Sequence, residues 1–165
     1  MEVLDLRGTP TVTTNIADCD TLQTIYVSHQ CVNLTLTNCP NLTSIIIENE
    51  SGRTSALENI TLSGLTSLSQ ISLVPSVKNV AIANCPVFTT ITNGTTSGLF
   101  TNLVSFNAGG INSAAGYSLS SQAIFDNIYN SQKDLPVRNI QVISLSNVNW
   151  SNIDTDHLIF LLSLD

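Results

Sequence analysis

The chain has 165 residues, enough for one domain with a substantial core. Charged residues make up 10% of it, against about 25% in average proteins, and Ser, Thr and Asn take their place. The net charge of −7 and five scattered cations (Arg7, Arg53, Lys78, Lys133, Arg138) exclude a nucleic-acid surface, which needs clustered Lys and Arg.

From the first residue the unit L-x-x-L-x-L recurs, with Ile or Val allowed. It reads Met1-Leu4-Leu6, Leu22-Ile25-Val27, Cys31-Leu34-Leu36, Leu42-Ile45-Ile47, Leu57-Ile60-Leu62, Leu68-Ile71-Leu73 and Val77-Val80-Ile82. Weaker copies are Phe88-Ile91-Asn93 and Leu103-Phe106-Ala108, and a degenerate one is Thr11-Thr14-Ile16. From Ile25 to Phe106 the central residues advance by 9, 11, 15, 11, 9, 11 and 15, so the series repeats after 46 residues. Residues 20–65 therefore align with 66–111 without a gap, pairing Asn38-Cys39-Pro40 with Asn84-Cys85-Pro86 and Ser51-Gly52 with Ser97-Gly98.

The final L-x-L of each unit alternates in and out like a strand, and nine or eleven residues leave no room for a helix. Two units then form one coil of about twenty residues with a strand on each side, and stacked coils pair as parallel strands about 4.8 Å apart. One sheet is expected from residues 1–6, 22–27, 42–47, 68–73 and 88–93. The other is expected from 11–16, 31–36, 57–62, 77–82 and 103–108. A single coil cannot bury its apolar side, so stability must come from stacking. Asn93 and Ala108 fill apolar slots poorly, which predicts a looser fifth coil or a change of repeat type there.

The pattern changes after Gly109-Gly110. Ser120 or Ser121 is placed to cap a helix carrying Ala123, Ile124, Ile128 and Tyr129. Val137 to Leu145 reads as a strand with Ile140, Ile143 and Leu145 in the repeat slots. Ser151 or Asp154 would cap a second helix carrying Leu158, Ile159, Leu161 and Leu162. The fold class is thus mainly β with an α/β C-terminal part. Residues 1–111 form the coils, and 112–165 form a helix–strand–helix continuation, either a new repeat type or a cap. Met1 and Leu4 already occupy repeat slots and both ends read as cut, so a piece of a longer chain is expected. No apolar run reaches the roughly 18–20 residues of a membrane span, so no membrane insertion is expected.

The stretch Cys31-x-x-Leu34-x-Leu36-x-x-Cys39-Pro40-x-Leu42-x-x-Ile45 resembles a leucine-rich repeat of the cysteine-containing type. The short two-stranded coils are similar to those of bacterial surface leucine-rich-repeat proteins, of the internalin J-like and BspA-like groups. The resemblance covers residues 1–111. It implies a leucine-rich-repeat solenoid of about five coils and a secreted or surface-displayed binding or adhesion module with a protein or glycan partner. Similar repeats occur in phage structural proteins. The low charge and open ends support an alternative, a structural component of a virion or extracellular filament. An open first coil presents unpaired strand edges, which invite end-to-end association.

Sites of chemistry are sparse. Cys19, Cys39 and Cys85 share one slot with Leu65 and Ile111, which marks a buried apolar position. A Cys19–Cys39 disulfide between adjacent coils is conceivable if the geometry allows it. No C-x-x-C exists and His29 and His157 are isolated, so no zinc site or other cofactor is expected. The acidic pairs Asp18/Asp20, Glu48/Glu50 and Asp154/Asp156 read as turn and cap chemistry. No G-x-S-x-G elbow, P-loop or dinucleotide fingerprint occurs, and the chain reads as not an enzyme. Six N-x-S/T sequons (Asn33, Asn41, Asn49, Asn59, Asn93, Asn149) number little more than this composition yields by chance.

Two surfaces remain as binding candidates. One is the outward column of the first sheet, Asp5, Tyr26, Ile46, Ser72 and Thr92, flanked by Thr24, Ser44, Gln70 and Thr90; Tyr26 and Ile46 should be adjacent and exposed. The other is an edge formed by the long loops Glu48–Ala56, with Glu48, Glu50 and Arg53, and Gly94–Asn102. Repeat insertions on one face often mark the binding face.

Overall fold

Strict alternation of inward and outward side chains folds the chain into short parallel strands. The computed structural model describes residues 2–48, 53–93, 100–111, 119–145 and 155–163. The strands are β1 (Val3–Asp5), β2 (Thr13–Ala17), β3 (Thr24–Val27), β4 (Asn33–Thr37), β5 (Ser44–Ile47), β6 (Asn59–Ser63), β7 (Gln70–Leu73), β8 (Asn79–Ala83), β9 (Thr90–Asn93), β10 (Ser105–Gly109) and β11 (Val142–Leu145). Helix α1 (Leu119–Gln132) precedes β11 and α2 (Thr155–Leu162) follows it.

From β1 to β10 paired strands lie two places apart along the chain, and β10 pairs with β11. Strands β2, β4, β6, β8, β10 and β11 form one six-stranded sheet in that order, and β1, β3 and β5 form another. The chain thus shuttles between two sheets and advances one strand spacing per pair of strands, a step called a level below. Register is conserved throughout: Leu34 lies between Thr14 and Ile60, and Leu36 between Ile16 and Leu62. These inward residues meet in one core, with Ile25, Leu34, Leu36, Leu57, Ile60 and Leu62 almost wholly buried. Each such burial is worth roughly 1.5–3 kcal/mol. Ala108 is buried too, level with Ile82 and Leu145, so its small side chain leaves the slot closed.

The first sheet does not run unbroken as its pattern suggests. Strands β7 and β9 pair as a separate two-stranded sheet. The break falls where the chain lengthens: Leu22 to Leu42 spans 20 residues, but Leu42 to Leu68 spans 26. Both described ends of the insertion are tied to the preceding level. Glu48 N donates to Val27 O at 2.9 Å, and Ala56 N donates to His29 O at 2.8 Å. The end of β5 is thereby committed to β3, and the β5–β7 step lacks a ladder although the strands stay neighbours.

Two polar columns join the levels of the six-stranded sheet. At the start of its strands, Asn79 Nδ2 donates to Asn59 Oδ1 and Asn59 Nδ2 to Asn33 Oδ1, both at 2.7 Å. Asn33 Nδ2 closes the column on Thr13 Oγ1 at 3.4 Å. One residue past the strands, Asp18, Asn38 and Asn84 adopt φ of 56°, 52° and 53°, and Gly64 and Gly110 adopt 66° and 67°. This left-handed corner admits Asn, Asp and Gly with least strain. Packing chooses among them: a Cβ on Gly64 would lie 2.7 Å from Asn38 Oδ1, so the residue above an Asn must lack one.

The C-terminal part departs from the pattern in detail. Helix α1 begins at Leu119, so Ser120 and Ser121 lie inside its first turn instead of ahead of it. Its buried face includes Phe125 beside Ile124 and Ile128. In α2 Phe160 is buried and Ile159 is 56% exposed; Phe160 packs edge-on against Phe125 and Tyr129. Ser151 and Asp154 lie outside the described residues. Strand β11 starts at Val142 instead of Val137 because the buried Gln132 takes the preceding amides. Its Oε1 accepts from Asn139 N at 3.1 Å and Ile140 N at 3.3 Å, while Nε2 donates to the carbonyls of Phe100 and Leu103. One side chain thus ties the end of α1 to the approaches of β10 and β11.

Two substitutions test the scaffold. Leu36→Asp places a charge at a fully buried site and should abolish cooperative unfolding, a cost of several kcal/mol, whereas Thr35→Asp on the outer face should shift Tm only slightly. Equal damage in circular-dichroism melts would contradict the in/out assignment. Asn59→Ala breaks two amide links and should cost about 1–2 kcal/mol in urea unfolding, while Asn15→Ala, at an exposed position, should cost less than about 0.5 kcal/mol.

Candidate functional site

The C-terminal ends of β1, β3 and β5 bring together side chains that lie far apart in sequence. Asp5, Tyr26 and Ile46 are neighbours across the sheet, in register on its outer face. Tyr26 is half-buried and Ile46 is 41% exposed. The tyrosine is less open than its column position suggests because Arg7 lies over it, with Cζ 4.2 Å from the ring centroid. Arg7 is itself held in place. Its Nε donates to Asp5 Oδ1 at 3.0 Å and its Nη2 to Asp5 Oδ2 at 2.6 Å. This pairing, with the Arg7 amide, holds the Asp5 carboxyl down at about 2. Exposed pairs of this kind add little stability, but they fix the guanidinium's orientation.

Glu48 is the anchor beneath this surface. Sequence placed it in an exposed turn; in the structure its side chain is 4% exposed. Its Oε2 accepts from His29 Nδ1 and His29 N, both at 3.1 Å, and from Gly8 N at 3.4 Å. Its Oε1 accepts from Arg53 Nη1 at 3.1 Å. A carboxylate only accepts, so Nδ1 of His29 carries the proton toward it. The His29 ring first, then the His29 and Gly8 amides and Arg53, hold the Glu48 carboxyl down at about 2, against the burial that would raise it. One buried charge therefore ties three consecutive levels: the Arg7–Gly8 turn, the Ser28–His29 turn and the returning insertion at Arg53. Glu48 positions the site, while Tyr26, Ile46, Arg7 and Arg53 face outward from it.

The other expected residues lie elsewhere. Gln70 and Ser72 pair with Thr90 and Thr92 in the separate β7–β9 sheet. Gln70 and Thr92 are exposed and Ser72 is half-buried. Glu50 and most of the loop 94–102 lie outside the described residues. The column and the loop, read as two surfaces, are linked by Glu48, which holds both Gly8, next to Arg7, and Arg53 of the insertion. Arg7 and His29 were not foreseen as part of this patch. The signal available was spacing: Asp5 and Arg7 precede the Tyr26–His29 stretch by one level.

The internal repeat separates scaffold from site. The 46-residue offset keeps the core and turn residues alike, with Leu22 matching Leu68, Ile25 matching Ile71 and Asn38 matching Asn84. At the patch, however, Tyr26, His29, Ile46, Glu48 and Arg53 correspond to Ser72, Pro75, Thr92, Gly94 and Leu99. The second half carries the same repeat with other residues at these positions.

All four cysteines are free thiols, and burial pushes the Cys39 and Cys85 thiols up. Among the described residues no group of three or more His, Cys, Asp or Glu side chains could hold a metal ion, and no helix is long and apolar enough to cross a membrane. His157 stacks on Tyr129 at 4.1 Å and lies 3.6 Å from Asp126, within the α1–α2 packing. No protein-family description, curated protein or solved structure matches the chain.

The depressed Glu48 carboxyl sets a pH dependence. Its folded value, about 2, lies below the ordinary 4.5, so its stabilisation is full at higher pH and fades as pH falls through this interval. Glu48→Gln should lower Tm at pH 7, and its Tm curve should converge on that of the unsubstituted protein toward pH 2. Parallel curves over that range would show that Glu48 does not carry the effect.

Proposed function

We propose that the chain is a leucine-rich-repeat-like solenoid that serves as a non-catalytic binding or adhesion module, secreted or displayed on a cell or virion surface. The strand-end patch of Arg7, Tyr26, Ile46 and Arg53 takes a protein or glycan partner. The observation that carries this reading is the contrast within the chain: across 46 positions the repeat keeps nearly all its core positions apolar, while Tyr26, Ile46 and Arg53 of the patch give way to Ser72, Thr92 and Leu99.

The composition of the patch supports it. Tyr and Arg are among the side chains that most often anchor interfaces, and the patch adds an exposed Ile beside them. Arg7 is held on Tyr26 by Asp5, and Arg53 by the buried Glu48. Such fixing lowers the entropy lost when a partner docks. The low charge of the chain favours a partner held by shape and hydrogen bonds over one drawn by a long-range field.

The test transplants the second half's residues into the first. Tyr26→Ser with Ile46→Thr copies Ser72 and Thr92, which the same repeat position already accommodates. An array of immobilised glycans and extracellular proteins should show a ligand for the unsubstituted chain. The double variant should bind it at least tenfold more weakly, with Tm changed by only a few degrees. Unchanged affinity would remove the patch from the reading, and an array with no ligand would count against the binding module itself.

A further inference from the structure

We propose that Cys19 and Cys39 are an oxidisable pair, forming a disulfide that fastens the first level of the fold to the second. The pairing of β2 with β4 puts Ala17 opposite Thr37, so Cys19 and Cys39, each two residues further on, occupy the same position one strand spacing apart. That spacing, about 4.8 Å, lies inside the Cα separation of about 4.4–6.8 Å that disulfides tolerate.

The chain on both sides is clamped across the two levels. Asp18 N donates to Thr37 O at 3.0 Å, Asn38 Nδ2 donates to Asp18 Oδ1 at 3.0 Å, and Asn41 Nδ2 donates to Asp20 O. The two thiols hold matching places in their turns, Cys19 Sγ donating to Ala17 O at 3.5 Å and Cys39 Sγ to Thr37 O at 3.4 Å. The other two cysteines have no such neighbour in their columns. Cys85 stands between Leu65 and Ile111, and Cys31 belongs to the column of Thr11 and Leu57 on the opposite side of the coil.

Access orders the reaction. Cys19 is half-buried, whereas Cys39 is sealed. The Cys19 thiolate attacks a small disulfide such as oxidised glutathione and expels one glutathione thiolate. The Cys39 thiolate then attacks the Cys19 sulfur and expels the second. Two cysteine thiols and one glutathione disulfide become one protein disulfide and two glutathione thiols, so the two electrons pass to glutathione and the two protons to its thiolates. Burial raises the Cys39 thiol, so the second step quickens as pH rises above neutrality.

The first level is the less closely packed of the two that the bond would join: Leu4, Leu6 and Ile16 are half-buried where the next level's Ile25, Val27 and Leu36 are sealed.

The test uses the full chain, incubated at about pH 8 with oxidised glutathione or with reductant, then alkylated and mapped by mass spectrometry. Oxidation should remove about 2 Da, link only the Cys19 and Cys39 peptides, and raise Tm by about 5–10 °C. Cys39→Ser should stop at a glutathione adduct on Cys19. Linked peptides containing Cys31 or Cys85, or full alkylation of Cys19 and Cys39 after oxidation, would overturn the pairing. A linked pair with a lower Tm would overturn the fastening role.

Discussion

The structure depends on one constraint: no level of this chain can bury its own apolar side, so each must repeat its neighbour's path closely enough to lie flat against it. That requirement fixes the inward slots, because a register slip by one residue would turn every core side chain to solvent. It also fixes the corners. The backbone must turn through the same left-handed geometry after each strand of the six-stranded sheet, and Asp18, Asn38, Gly64, Asn84 and Gly110 are the residues that allow it. Asn and Gly then alternate in the later levels because an Asn side chain occupies the space above its own corner, where only a Gly fits. The Asn33–Asn59–Asn79 column obeys the same logic with hydrogen bonds in place of contact.

Much of this was legible before any coordinates. Spacing of Leu, Ile and Val placed ten strands within a few residues and set both columns of inward side chains. It also identified the Cys39 and Cys85 slot as apolar interior, which Leu65 and Ile111 share at zero exposure. Periodicity reports which way a side chain points relative to its own strand, and that is the information a stacked fold mostly uses.

What periodicity missed came from side chains acting over long separations. Gln132 reads as an ordinary polar residue near a helix end, yet it satisfies four backbone groups on two other segments. Glu48 reads as a turn acid, yet it holds turns forty residues apart. The split of the first sheet has the same origin, since bonds at both ends of an insertion decided where β5 would lie. In α2 periodicity did not single out Phe160, whose place is set by its aromatic partners Phe125 and Tyr129 on α1.

The 46-residue period has a consequence at the level of the gene. Two stretches that align without a gap are interchangeable as units, and the loss or duplication of one removes or adds two whole levels. Deleting residues 20–65, for example, would join Cys19 to Thr66, and the strand that follows would meet the first level in the register its predecessor used. The lineage that carries this chain can therefore lengthen it, shorten it or shuffle patch-bearing units against plain ones without inventing a new fold.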